Sequence, residues 1–145
     1  MVTALLLAAA ALIAPQDKVE AQASVRPIEG AEAGFVHVVI DLDIAAGWHV
    51  YHPSQDPTLG IPVSARITSG ATATGEMVSL SKPKPHMERI GSEILIYQWL
   101  SGKPQLVIPA KLSSTDGPSS VGVALTHQAC DDSICLPPIT IDLKA

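Results

Sequence analysis

The sequence predicts an all-β protein, an immunoglobulin-like antiparallel β-sandwich, and three observations carry that prediction. Short runs with an apolar residue at every second position recur along the chain, as half-buried strands require. Gly, Pro, Ser and Asp cluster between these runs at the spacing of turns. No stretch after residue 23 carries a helical period, which removes the crossovers that a parallel sheet would need.

The chain opens with MVTALLLAAAALIAPQDKVEAQAS, whose apolar run from Ala4 to Ala14 has the length of a signal-peptide core. It falls well short of the roughly 20 residues that a membrane span requires. Residues 1–23 are therefore read as an export signal, with Ala21-Gln22-Ala23 as the small-x-small cleavage pattern, and residues 24–145 as one domain. An uncleaved anchor is the alternative. In FVHVVIDLDI, residues 35–44, Val36, Val38, Ile40, Leu42 and Ile44 share one side while His37, Asp41 and Asp43 take the other. The same period returns at 47–52, 63–67, 75–80, 93–100, 105–112, 121–129 and 139–143, about eight strands in all. Turn formers separate them at Ala46-Gly47, 53–60, Ser69-Gly70, 81–85, Ser101-Gly102 and 113–120.

Size and charge narrow the function classes. Without its signal the chain has 122 residues, enough to bury a core unaided. Removing Asp17, Lys18 and Glu20 from the nine basic and fourteen acidic residues leaves a net charge of −4, with no Lys/Arg cluster to track phosphates. Nucleic acid is excluded as a partner on that ground. Export places the two cysteines, Cys130 and Cys135, in an oxidising compartment where a nearby pair forms a disulfide.

That pair, in HQACDDSICLPPITI, sits where one strand ends and the next is approached, so Asp131 to Ile134 form a hairpin tip. The residues alone leave three uses open. As a structural clip, a ring of about six residues constrains the unfolded chain by only roughly 2 kcal/mol. As a working dithiol, a bond in a short exposed ring is easier to reduce. As a metal site, His127, Cys130 and Cys135 supply ligands with Asp131 or Asp132 as a fourth. Strand parity opposes the last, because His127 and Cys130 differ by an odd number of positions and point to opposite faces. His127 reads instead as a partly exposed strand residue.

CDDSICLPP resembles the cysteine, short acidic insert, cysteine, Pro-Pro signature of the N-terminal periplasmic domain of the thiol:disulfide interchange protein DsbD. Two further segments are similar to that family. AAGWHVYHPSQDPTLGIPVSARI matches its glycine-aromatic-x-x-Tyr strand and following loop, and HMERIGSEILIYQ its Glu-x-x-Gly segment. The resemblance runs from about Phe35 to Leu143 and implies an immunoglobulin-like fold and a protein-disulfide reductase type of thiol–disulfide exchange. It implies Cys135 as the cysteine that forms the mixed disulfide and Cys130 as the one that resolves it. Tyr51 and Glu88 match family positions near the cysteines, and His49 stands where the family often has an aromatic residue. Asp131 and Asp132 are expected to disfavour a thiolate at Cys130 by like-charge repulsion. No cofactor or metal is implied.

The implied partners are thioredoxin-fold periplasmic proteins of the disulfide isomerase or cytochrome c maturation type. Electrons are expected from a separate membrane thiol reductase, since this chain carries no thioredoxin-like module, and the mature chain is expected to have no membrane span. One departure concerns shielding: the family covers its disulfide with a loop bearing an aromatic residue, and 85–91 here offers only Met87, Arg89 and Ile90. Trp48 and Trp99 are expected in packing roles, and His52 and His86 in proline-rich loops. A non-catalytic secreted sandwich with a clip is the rival reading.

Overall fold

A computed structural model describes residues 18–116 and 120–145; the apolar run at 4–14 lies outside them. Eleven strands and no helix occur among the described residues. The larger sheet joins β1 (Val19–Pro27), β2 (Phe35–Ile44), β9 (Gln105–Leu112) and β5 (Ala71–Ala73) in that order, with β6 (Val78–Ser79) also paired to β9. Facing it is a sheet ordered β11 (Ile139–Lys144), β10 (Gly122–His127), β4 (Ser64–Ser69). A third ordered β3 (Val50–Tyr51), β8 (Glu93–Leu100), β7 (Lys84–Ile90) extends from the end of the sandwich. Every strand ladder is antiparallel. The fold is thus the expected sandwich.

Alternation decides which side chains meet between the sheets. On β2 the even residues Val36 to Ile44 face inward, and the register sets Val38 opposite Ile108 and Ile40 opposite Leu106. The second sheet contributes Val123 and Leu125, each fully buried, flanked by Leu143 and Ile141 of β11 and by Ile67 and Ala65 of β4. Each buried aliphatic contributes roughly 1.5–3 kcal/mol, so this layer is the main source of stability. Val50, Val63 and Leu100 carry the same core into the third sheet. His127 also falls on the inward face and is fully buried, which corrects the expectation of partial exposure. Parity explains it: His127 shares its face with Val123 and Leu125.

Three strands were not foreseen: β1, the three-residue β5 and β7. β1 pairs along its whole length with β2, and Val19 lies in the core beside Ile44. The pattern Ala21-Gln22-Ala23 is inside this strand, so a cut after Ala23 would remove five paired residues. β7 occupies the stretch read as turn and loop, pairing Lys84 to Ile90 with Glu93 to Trp99. Gly91, with φ +63°, closes that hairpin in the left-handed conformation such two-residue turns need. His86 is therefore a strand residue, not a loop residue.

Candidate functional site

Three ladders bring the site together. Tyr51 of β3 lies opposite Trp99 of β8, and His86 and Lys84 of β7 lie opposite Tyr97 and Trp99. These side chains share the outer face of the small sheet, because Val50 and Leu100, one position away, face the core. His49 continues β3 and exchanges both backbone hydrogen bonds with Cys130, N–H to carbonyl at 2.9 Å in each direction. That pairing puts the Cys130 side chain on the face carrying His49 and Tyr51.

The cysteines themselves face each other across the hairpin and are joined by a disulfide, with Cα atoms 4.0 Å apart. Asp131 builds the tip: its Oδ1 accepts from the N–H groups of Ser133 and Ile134, both at 2.7 Å, and its own N–H donates to the Ile134 carbonyl at 2.8 Å. Those hydrogen bonds hold the Asp131 carboxyl below the usual carboxylate range. Asp132 projects from the same tip and is exposed. The two sulfurs are unequal, for Cys130 is 1 % exposed whereas Cys135 is open to solvent. Cys135 is therefore the accessible sulfur and Cys130 the protected one.

The cleft over the disulfide is lined by His49, Tyr51, Leu59, His86, Glu88, Tyr97 and Trp99 together with residues 130–135. Tyr51 Oη lies 3.5 Å from Cys130 Sγ and 3.8 Å from Cys135 Sγ. With the sulfurs bonded to each other, only the phenol has a hydrogen to donate. Burial, followed by Tyr97 and Glu88, pushes the Tyr51 pKa up, so it remains a donor at neutral pH. Gly60 lets the ring lie flat: a Cβ there would come within 2.6 Å of Tyr51 Cε2. His49 stacks on Trp99 at 3.7 Å, and His86 stacks on the same indole at 4.1 Å. Burial lowers the His49 pKa to about 4, against the opposing pull of Asp132 and Asp131, so the ring is neutral at pH 7.

Glu88 faces the cleft with its carboxylate 3.4 Å from His86 Nε2. Trp99, expected only to pack, is part of this wall; Trp48 packs against the core and lies under Lys18. His52 instead orders a turn through Ser54. Tyr97 and His86 were missed as site residues, although the alternation of EILIYQWL places Tyr97 beside Trp99 on one face. Met87 and Arg89 point to the other face of β7, so neither covers the sulfurs. Among the described residues no cluster of three or more His, Cys, Asp or Glu is arranged to hold a metal ion, and His127 does not line the cleft. Among the described residues no helix is long and apolar enough to cross a membrane.

The profile of the family described as thiol:disulfide interchange protein DsbD, N-terminal, matches residues 10–144. The chain belongs to this family. Among solved structures it is similar to the DsbD N-terminal domain of Neisseria meningitidis in the reduced form, at 17 % identity and a TM-score of 0.58. That match covers 92 % of this chain and 89 % of the other. It is also similar to the N-terminal periplasmic domain of ScsB from Proteus mirabilis, at 19 % identity and a TM-score of 0.54, over 89 % of this chain and 46 % of that one. No curated protein matches it. At these identities the structural likeness establishes the DsbD-type immunoglobulin-like sandwich, and the cysteine hairpin is this chain's own evidence for chemistry.

Proposed function

We propose that this chain is a periplasmic thiol–disulfide exchange domain that relays two electrons through Cys130 and Cys135 to thioredoxin-fold proteins. The observation that carries the reading is the pairing of one exposed and one buried sulfur under a phenol that faces both. In the reducing direction the Cys135 thiolate attacks the partner's disulfide and expels one partner thiolate. Cys130 then attacks Cys135 Sγ, the mixed disulfide breaks, and the partner leaves with two thiols while the Cys130–Cys135 bond re-forms. Membership of the DsbD family supports the thioredoxin-fold class of partner. A disulfide isomerase or a cytochrome c maturation thioredoxin receives the electrons, and a separate membrane thiol reductase supplies them. A chain exported by residues 1–23 or part of them would meet these partners in the periplasm.

A trap tests the reading. With Cys130→Ser, Cys135 has no resolving neighbour and accumulates mixed disulfides with thioredoxin-fold proteins in a periplasmic extract, identified by mass spectrometry after non-reducing separation. An empty trap, with Cys135 alkylated freely in the same sample, contradicts the relay.

A further inference from the structure

We infer that His49 is a positioning residue for the reduced pair: its buried Nε2 accepts the hydrogen that Cys130 acquires when the disulfide opens, and so biases the pair toward the dithiol. This inference rests on the reading of Cys130 and Cys135 as a working dithiol. The starting observation is an orphan. His49 is 4 % exposed, and its Nε2 has no hydrogen-bond partner while the cysteines are joined. A buried polar atom left unpaired destabilises the state that contains it.

The geometry names the group that relieves it. His49 and Cys130 are a directly opposed cross-strand pair with two 2.9 Å backbone hydrogen bonds, so their Cβ atoms are about 5 Å apart on one face. The imidazole is held between neighbours, stacked on Trp99 at 3.7 Å and 14° and edge-on to Tyr51 at 5.6 Å and 76°. A disulfide sulfur carries no hydrogen, whereas a thiol is a donor. Reduction parts the two sulfurs and gives each a hydrogen. Cys135 finds water, but Cys130, 1 % exposed, finds only the cleft.

Its neighbours there are largely committed. Asp131 Oδ1 already accepts two backbone N–H groups and Glu88 sits against His86, while Tyr51 Oη, 3.5 Å from Cys130 Sγ, can accept as well as donate. Trp99 Nε1, also without a partner, can only donate. Of the acceptors beside Cys130, His49 is the one left unpaired while the disulfide is closed: burial keeps it neutral despite Asp132 and Asp131, and its Nδ1–H tautomer offers a free lone pair on Nε2. The oxidised state thus bears an unpaired buried nitrogen that the reduced state satisfies. A phenylalanine at this position would keep the stack and lose the effect.

Equilibration with glutathione reads this directly, with no protein partner involved. Two glutathione thiols reduce the Cys130–Cys135 bond, their hydrogens pass to the two cysteines, and glutathione disulfide forms. The full chain and its His49→Phe and His49→Gln variants are brought to equilibrium at pH 7, alkylated and counted by mass. The unfolding midpoint of each oxidised variant confirms that it is folded. His49→Phe is expected to lower the equilibrium constant for reduction about tenfold, equivalent to a potential about 30 mV more negative. His49→Gln, which restores an acceptor, recovers at least half of that change on a logarithmic scale. A constant within twofold of the parent in His49→Phe overturns the inference. So does a shift that His49→Gln shares in full, because it assigns the effect to ring packing. Unchanged constants beside a loaded Cys130→Ser trap would remove the role of His49 alone, and an empty trap would remove the relay.

Discussion

Tyr51 is the side chain whose chemistry is most directly readable, because its hydroxyl faces both sulfurs and its ring is pinned by Gly60 and the sheet. A hydrogen bond of this kind contributes about 1 kcal/mol net, roughly fivefold in rate if it is made to the developing thiolate. Tyr51→Phe is therefore predicted to slow reduction of the disulfide by dithiothreitol about three- to tenfold while moving the unfolding midpoint little, in stopped-flow measurements at pH 7. His127 is a residue of another kind, a fully buried imidazole with neither nitrogen partnered and its pKa lowered by burial. His49, at about 4, is depressed for the same reason. Because both are depressed in the folded state, below an unfolded pKa of about 6.5 the unfolded chain binds more protons than the folded chain. Stability is then predicted to fall as pH drops from about 6.5 to 4, by on the order of 2 kcal/mol for His49 alone. Urea titrations across that range check the slope, and His127→Leu should flatten it.

At the scale of elements, the site exists because a hairpin stands on the end of a sandwich. β8 is bonded on one side to β3 and on the other to β7, and the shared register turns His86, Glu88, Tyr97 and Trp99 toward the sulfurs. Gly60→Ala would drive a methyl into the Tyr51 ring, with contacts of 2.6, 2.7 and 2.8 Å to three ring carbons. Overpacking of this kind costs typically 1–3 kcal/mol. The variant is predicted to lose both stability and exchange rate, unlike Tyr51→Phe, and paired melting and stopped-flow measurements separate the two. The strands with strict alternation were legible to the residue: β2, β8 and β9 have the bounds that the apolar period assigns. β7 was not, because its reading turned on Pro85. In an edge strand the missing N–H of Pro85 costs no ladder bond, and the apolar members Met87 and Ile90 are exposed, so neither signal of a buried strand is present. β1 does alternate, as Val19, Ala21, Ala23 and Val25 against Glu20, Gln22, Ser24 and Arg26, but the same alanines mimic a signal-peptide cleavage pattern. Of the residues that line the cleft, the sequence and its family resemblance named the sulfurs, Tyr51, His49, Glu88, Asp131 and Asp132; the stacking of His86 and Trp99 depends on the β7–β8 register, which no local pattern encodes.

For the molecule as a whole, the packed sandwich supplies stability, while the small sheet and the cysteine hairpin carry the candidate chemistry. The sandwich buries Leu106, Leu125 and their neighbours, and β1 closes its larger sheet. A chain beginning at Ser24 lacks Val19, 6 % exposed, and four more residues paired with β2. It is predicted to be less stable by at least about 2 kcal/mol in urea unfolding. Sequencing of the exported protein is correspondingly expected to place its N-terminus before Val19. The acidic tip and the cleft leave Cys135 exposed and keep Cys130 within the fold.

The most direct test of a working dithiol is the equilibrium of the purified oxidised domain with reduced thioredoxin, read by alkylation and mass at pH 7. Transfer that reaches measurable amounts of both redox forms, placing the potential above about −300 mV, is the predicted result. A Cys130–Cys135 bond that persists under a large excess of reduced thioredoxin, as a purely structural disulfide would, contradicts the account.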